Sequence, residues 1–194
     1  MTVPAEETKT RADARRNRDR LLVAALELFA AEGPDVSLKA VAAAAGVGVG
    51  TIYRHFPTRE SLLEAVYRSE VEQLCDVERL LREYPPDVAL AQWMDRFVDY
   101  AVRKRGLAGA LKEIAASGSD IFDDTRRRIL AALTTLLEAG VAAGSIRADV
   151  DADGVFQATG GIWLIPDEPG WADDARKVLA LVMDGLRHGA AAPS

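Results

Sequence analysis

The stretch SLKAVAAAAGVGVGTIYRHFPTR, Ser37–Arg59, constrains the fold more than any other part of the chain. Val41, Ala44 and Ala45 share one helical face and Gly46 breaks that helix, while Val47, Ile52 and Phe56 supply a second apolar stripe at helical spacing. Two short helices joined by a tight turn follow. Ser37 suits the N-cap of the first, its hydroxyl accepting from an orphan amide of the opening turn. This is a helix-turn-helix pattern, in which the second helix enters a DNA major groove while its other face packs on its neighbours. The spacing leaves Val49, Gly50, Thr51 and Tyr53 on the free face and puts Ile52 and Phe56 in the core.

Gly46–Tyr67, GVGVGTIYRHFPTRESLLEAVY, resembles the signature of the tetracycline-repressor (TetR) family of transcriptional regulators. The resemblance spans Arg15 to Tyr67, and its most specific part is Tyr-x-His-Phe after Gly-Thr-Ile, followed by a basic residue and a Leu-Leu pair. One departure is Gly48, where the family often has Ser, Ala or Thr, so the cap of the reading helix rests on backbone alone. The resemblance implies an all-α fold: an N-terminal three-helix DNA-binding head and a C-terminal helical bundle for ligand binding and dimerisation. It implies a dimeric regulator of a pseudo-palindromic operator, a repressor released by a small apolar or amphipathic effector, with no cofactor.

Within the head, Lys39 can donate to guanine O6/N7 or to a phosphate. Val49 and the Thr51 methyl suit a thymine methyl, and Gly48 and Gly50 allow close approach of backbone to the duplex. The resemblance places Tyr53, His55 and Arg59 on phosphate. For His55 a hydrogen bond inside the head is an equal alternative, and Arg54 stays unassigned. Arg15, Arg16, Arg18 and Arg20 form a basic cluster at the start of the first helix. The resemblance brings that end, Arg16 included, beside the DNA backbone, where it adds salt-dependent affinity but little discrimination; the alternative is a solvated helix end. The spaced glycines are not a nucleotide loop, because they follow an alanine-rich helical run rather than a strand.

Charge is divided along the chain. Residues 1–59 carry 9 Lys/Arg against 7 Asp/Glu, and residues 60–194 carry 15 against 23. Only the head end suits a polyanion. Cys75 is the single cysteine, so no intrachain disulfide or Cys-based metal site forms, and its place in a helical pattern fits a small buried residue. An enzyme has little to work with: His55 and His188 lie at opposite ends, and no His/carboxylate set has metal-ligand spacing. No apolar run reaches the 18–20 residues or so that cross a bilayer, which leads us to expect a cytoplasmic protein.

In chain order, residues 1–14 read as a disordered arm, 15–57 as the head, 58–189 as the body and 190–194 as a frayed tail. The first helix ends at Gly33-Pro34, and one unbroken helix is expected from Thr58 to about Glu83, stopped by Tyr84-Pro85-Pro86. Val88–Lys104, Leu107–Ala116, Ile121–Ala143, Gly154–Ile165 and Trp171–His188 complete nine helices, with no strand. Arg126–Arg128 read as a solvated face.

Trp93, Phe97, Tyr100, Leu107, Leu111, Ile114, Phe122, Leu133 and Trp163 can wall an apolar effector pocket, or serve as plain core. The resemblance makes the last two helices half of a four-helix dimer interface, carried by Phe156, Gly160, Gly161, Leu164, Leu179, Val182 and Leu186. Tilting of the long helix from Thr58 by an effector is the expected coupling between body and head.

Overall fold

The computed structural model describes residues 5–33, 35–116, 118 and 120–189, with side chains from Ala12 onward except that of Glu113. Among these residues the protein is all-α, with ten α-helices, one 3-10 turn and no strand. The helices are α1 (Ala5–Glu32), α2 (Leu38–Ala44), α3 (Val49–His55), α4 (Arg59–Leu74), α5 (Val77–Glu83), α6 (Pro86–Gly106), α7 (Ala108–Ala116), α8 (Ile121–Ala142), α9 (Ala152–Gly160) and α10 (Trp171–Arg187), with the 3-10 turn at Gly161–Leu164. All nine segments read from the sequence are present. One is interrupted and one passes into the 3-10 turn.

Two expectations are corrected. The segment read as a disordered arm is helical from Ala5. No Gly or Pro falls between Ala5 and Glu32, and the run is rich in Ala, Glu and Arg, strong helix formers even without an apolar stripe. Residues 1–4 of that arm and the tail 190–194 lie outside the described residues. The helix expected to run unbroken from Thr58 to Glu83 stops at Leu74 and restarts at Val77. Asp76 takes ψ 66°, outside the helical range, and the Val77 amide donates to the Cys75 carbonyl, which ends the ladder. Asp76 stands at the N-cap of α5 with no side-chain cap bond, so the restart rests on backbone conformation.

The chain packs as two compact units, Met1–Ser69 with Arg103–Ile121 and Glu70–Val102 with Phe122–Ser194. The division falls inside α4 and α6. In the first unit, Leu21, Ala25 and Phe29 of α1, Val41 of α2 and Ile52 of α3 are buried, and α1 packs on both α2 and α3. Each fully buried side chain of this size contributes about 1.5–3 kcal/mol by leaving water. In the second unit, α6 and α10 run antiparallel. Asp87 pairs with Arg187 at 2.8 Å, and eight to twelve residues further on Asp95 and Asp99 both pair with Arg176 at 2.7 Å. Gly140 of α8 admits Ile146, whose Cγ1 would lie 2.4 Å from any Cβ added there.

Candidate nucleic-acid interface

The turn between α2 and α3 is built by backbone chemistry that the glycines permit. Ser37 Oγ accepts from the Ala40 amide at 3.2 Å, as expected of an N-cap. At the far end the Gly46 amide donates to the Ala43 carbonyl and the Val47 amide to that of Ala42. This paired closure needs a left-handed residue, and Gly46 supplies it at φ 63°. Gly48 then caps α3 in extended conformation with no side-chain bond, and its carbonyl accepts from the Thr51 amide at 2.8 Å.

Helix α3 buries Ile52, and Phe56 follows it into the core. Its outward face carries Val49, 44% exposed, and Tyr53, 46% exposed, together with exposed Gly50 and Arg54 and half-buried Thr51. A Cβ at Gly50 would meet nothing within 4 Å, so nothing in the protein shields that turn of backbone. Lys39 is exposed on α2, and His55 is half-buried with its ring 6.1 Å from that of Phe56.

Next to this face, Thr58 and Ser61 cap α4 reciprocally: each backbone amide donates to the other's hydroxyl, at 3.2 and 3.1 Å. The Glu60 carboxyl sits below its ordinary pKa, chiefly through its own backbone amide and then through Thr58 and the charge of Arg59. Arg59 is only 27% exposed and reaches Asp35 at 3.3 Å, so a phosphate would share or replace that carboxylate. The arginine cluster divides. Arg15 is exposed and Arg16, 67% exposed, pairs with Asp13 one turn back. Arg18 instead lies 5.7 Å over the Phe56 ring, and Arg20 donates to the Gly46 carbonyl at 3.5 Å. These last two fasten α1 to the turn, a role the sequence reading did not assign.

The residues singled out in the body are placed as follows. Trp93, Phe97, Tyr100 and Leu133 are buried in the second unit, where the Trp93 and Phe97 rings stack with centroids 5.4 Å apart. Leu107, Leu111 and Ile114 are buried in the first unit, and Phe122 is half-buried. Trp163 does not join them: it is 39% exposed and packs against the Trp171 ring. Of the proposed interface set, Leu164 is 87% exposed, and Phe156, Gly160, Gly161 and Val182 are partly so. Leu179 and Leu186 are 2% and 5% exposed, turned into the core of the second unit, and the outward apolar face of α10 passes through Leu181, 72% exposed.

Comparison with known proteins decides the family. Residues 85–188 match the family described as transcriptional regulator SbtR-like, C-terminal domain, and residues 21–66 match that of bacterial regulatory proteins, tetR family. The chain belongs to the TetR family. A TetR transcriptional regulator from Streptomyces coelicolor, SCO0520, is 50% identical, with 88% of this chain and 98% of that one covered at a TM-score of 0.79. A TetR regulatory protein from Mycobacterium vanbaalenii is 37% identical, with coverage of 92% and 99% and a TM-score of 0.75. The uncharacterized HTH-type regulator TtgW of Pseudomonas putida is 43% identical over 67 residues, 34% of this chain and 50% of its own length. This TetR-family chain is thus a helix-turn-helix transcriptional regulator rather than an enzyme, and the tetR-family match spans α2 and α3. No described helix is long and apolar enough to cross a membrane.

Proposed function

We propose that the chain works as a homodimer that reads a pseudo-palindromic operator and leaves it when a small apolar or amphipathic effector binds the C-terminal part. The observation that carries DNA reading is the uncovered face of α3, with Val49, Gly50 and Tyr53 outward and Ile52 holding the helix from behind. Val49 and Thr51 read base edges and Lys39 a guanine. Tyr53, His55, Arg59 and Arg16 take phosphates, with Ser37, Gly48 and Gly50 letting backbone approach. Dimerisation is supported by large apolar side chains of the second unit left in water, Leu164, Leu181 and Trp163. A two-fold dimer sets its half-site centres about 34–36 Å apart, or a multiple of that.

Release requires only about 1–3 kcal/mol of coupling between effector and operator. Between Leu74 and Val77 the chain has a joint instead of a rigid rod, so we place the coupling in the geometry of Cys75–Asp76 rather than in the tilt of one long helix. The test is selection of bound sites from random duplex DNA, with and without cell-extract metabolites. The expected result is enrichment of two-fold sites, lost when an effector is present. No enrichment at low salt overturns the operator reading, and unaltered binding with every metabolite fraction overturns the release reading.

A further inference from the structure

The antiparallel pair α6 and α10 encloses a half-open slot of about 230 Å³ that lies wholly within the second unit. Its floor is Met94, Val98, Leu179 and Met183, each 4% exposed or less. Small side chains, Ala91 on one wall and Ala180 on the other, make the space. The ion pairs described above stand at its ends, Arg187 with Asp87 and Arg176 with Asp95 and Asp99. Eleven residues of helix separate the two arginines, so the slot is about 16 Å long at a rise of about 1.5 Å per residue.

The charges of the slot are unequal in what they leave free. Both arginines are engaged by aspartates, Arg176 by three of them, Asp95, Asp99 and, at 3.7 Å, Asp173. Asp184 also lines the slot, is exposed, and has no ion pair or side-chain hydrogen bond among the described residues. Two arginines against Asp87, Asp95, Asp99 and Asp184 make the rim acidic. An anion would meet unpaired Asp184 and gain no free guanidinium. A neutral apolar molecule would leave the Asp184 charge unanswered at its side. We propose that this slot binds small amphipathic monocations, with the apolar body on Met94, Val98 and Met183 and the ammonium or amidinium group against Asp184. Thioether side chains at Met94 and Met183 adapt to different apolar shapes, so the selectivity rests on charge rather than outline.

The slot is separate from the face proposed for dimerisation. At about 100° per residue, Ala180 and Met183 lie within about 40° of Arg176 around α10, whereas Leu181 and Gly185 lie roughly 140–180° away. Asp184, at about 80°, stands between the two sides, so a dimer closed through Leu181 and Gly185 leaves the apolar floor open and has the Asp184 carboxylate at its margin. Its regulatory meaning rests on the effector reading above; its binding does not.

The chain has three methionines, two of them in the slot, so methyl-13C-methionine NMR reads it directly. The probe is phenethylammonium chloride, with phenethyl alcohol and 3-phenylpropionate as neutral and anionic counterparts of similar shape. The amine is expected to move the Met94 and Met183 methyls saturably, with Kd at or below about 1 mM. The alcohol and the acid should bind at least about tenfold more weakly, Asp184→Asn should remove the preference for the amine, and Ala180→Leu should abolish the shifts. Wild-type circular-dichroism spectra and urea midpoints in the unliganded variants establish that they fold. Equal binding of amine and alcohol, or an amine preference that survives Asp184→Asn, overturns the proposal. Operator release by the amine is measured apart, by gel shift: binding without release leaves the slot standing and removes only its role as the effector site.

Discussion

Gly46 and Gly48 flank the turn between α2 and α3, and substituting them should move stability in opposite directions. Gly46 holds φ 63°, so Gly46→Ala forces a Cβ into the left-handed region at a cost of about 1–2 kcal/mol. Space is not the issue there: the atom nearest the added Cβ, at 2.7 Å, is the far end of the Arg20 side chain, which can swing aside. Swinging aside releases the bond from Arg20 to the Gly46 carbonyl and adds a little to the loss. Gly48 sits at φ −66°, ψ 143°, a backbone any residue adopts, and an added Cβ meets only Thr51 Oγ1 at 3.8 Å. Gly48→Ser removes unfolded-state entropy worth about 0.4–1 kcal/mol and supplies the missing cap to α3, worth a few tenths more. Urea titration followed by circular dichroism, with the slope held common, should therefore show a lower midpoint for Gly46→Ala and a higher one for Gly48→Ser. Midpoints that shift in the same direction would refute the view that backbone conformation, rather than glycine as such, sets the turn.

Arg59→Ala and Tyr53→Phe should weaken binding to all duplexes alike, and Arg59→Ala should reduce the salt slope by about one, whereas Lys39→Ala should change the ranking of operator variants in a competition gel shift. Leu181→Asp should convert the proposed dimer to a folded monomer in sedimentation velocity, while Leu179→Ala should leave the association state alone and cost about 2–5 kcal/mol in denaturation, since Leu179 is 2% exposed. Burial pushes the Cys75 thiol up to about 11, with the Arg128 charge opposing and Asp124 reinforcing. At pH 8 iodoacetamide should therefore label it about two orders of magnitude more slowly than in urea, and stability should fall as pH rises from about 8.5, where the unfolded thiol ionises, toward 11. Labelling at equal rates in both states would show the thiol to be open to solvent.

The head was readable because its determinants are local. Ser37, Gly46 and the spacing of Val41, Ile52 and Phe56 act within a turn or two, so residue type and period fix caps, break and buried face without any partner from elsewhere. The arginine cluster shows where that reasoning stops. Arg15, Arg16, Arg18 and Arg20 look equivalent as a basic run, yet Arg18 and Arg20, though exposed, meet Phe56 and the Gly46 carbonyl, which lie far off in sequence. Charge in a sequence marks a cation, and only the packed partners decide whether it is available to DNA.

In the body the limits were ones of phase and partner. Along α10 the apolar residues Ala175, Val178, Leu179, Leu181, Val182, Met183 and Leu186 occupy more than one face, so periodicity establishes a helix with two apolar sides and leaves open which side is inward. Burial of Ala175, Leu179, Met183 and Leu186 settles it, and the outward side becomes Leu181 with Val178 and Val182. The ion pairs that bracket the slot were legible only as pieces. Asp95 and Asp99 stand four apart on one helix, but pairing them with Arg176, some eighty residues later, requires knowing that α6 and α10 run antiparallel. The joint at Cys75–Asp76 is subtler, because apolar spacing continues through it from Leu74 to Val77 and Leu80. An amphipathic pattern reports which face must be buried, and two helices that bury the same face in succession write the same pattern as one. What separates them is a single backbone torsion at Asp76, a residue equally content to cap a helix or to ride on its exposed side.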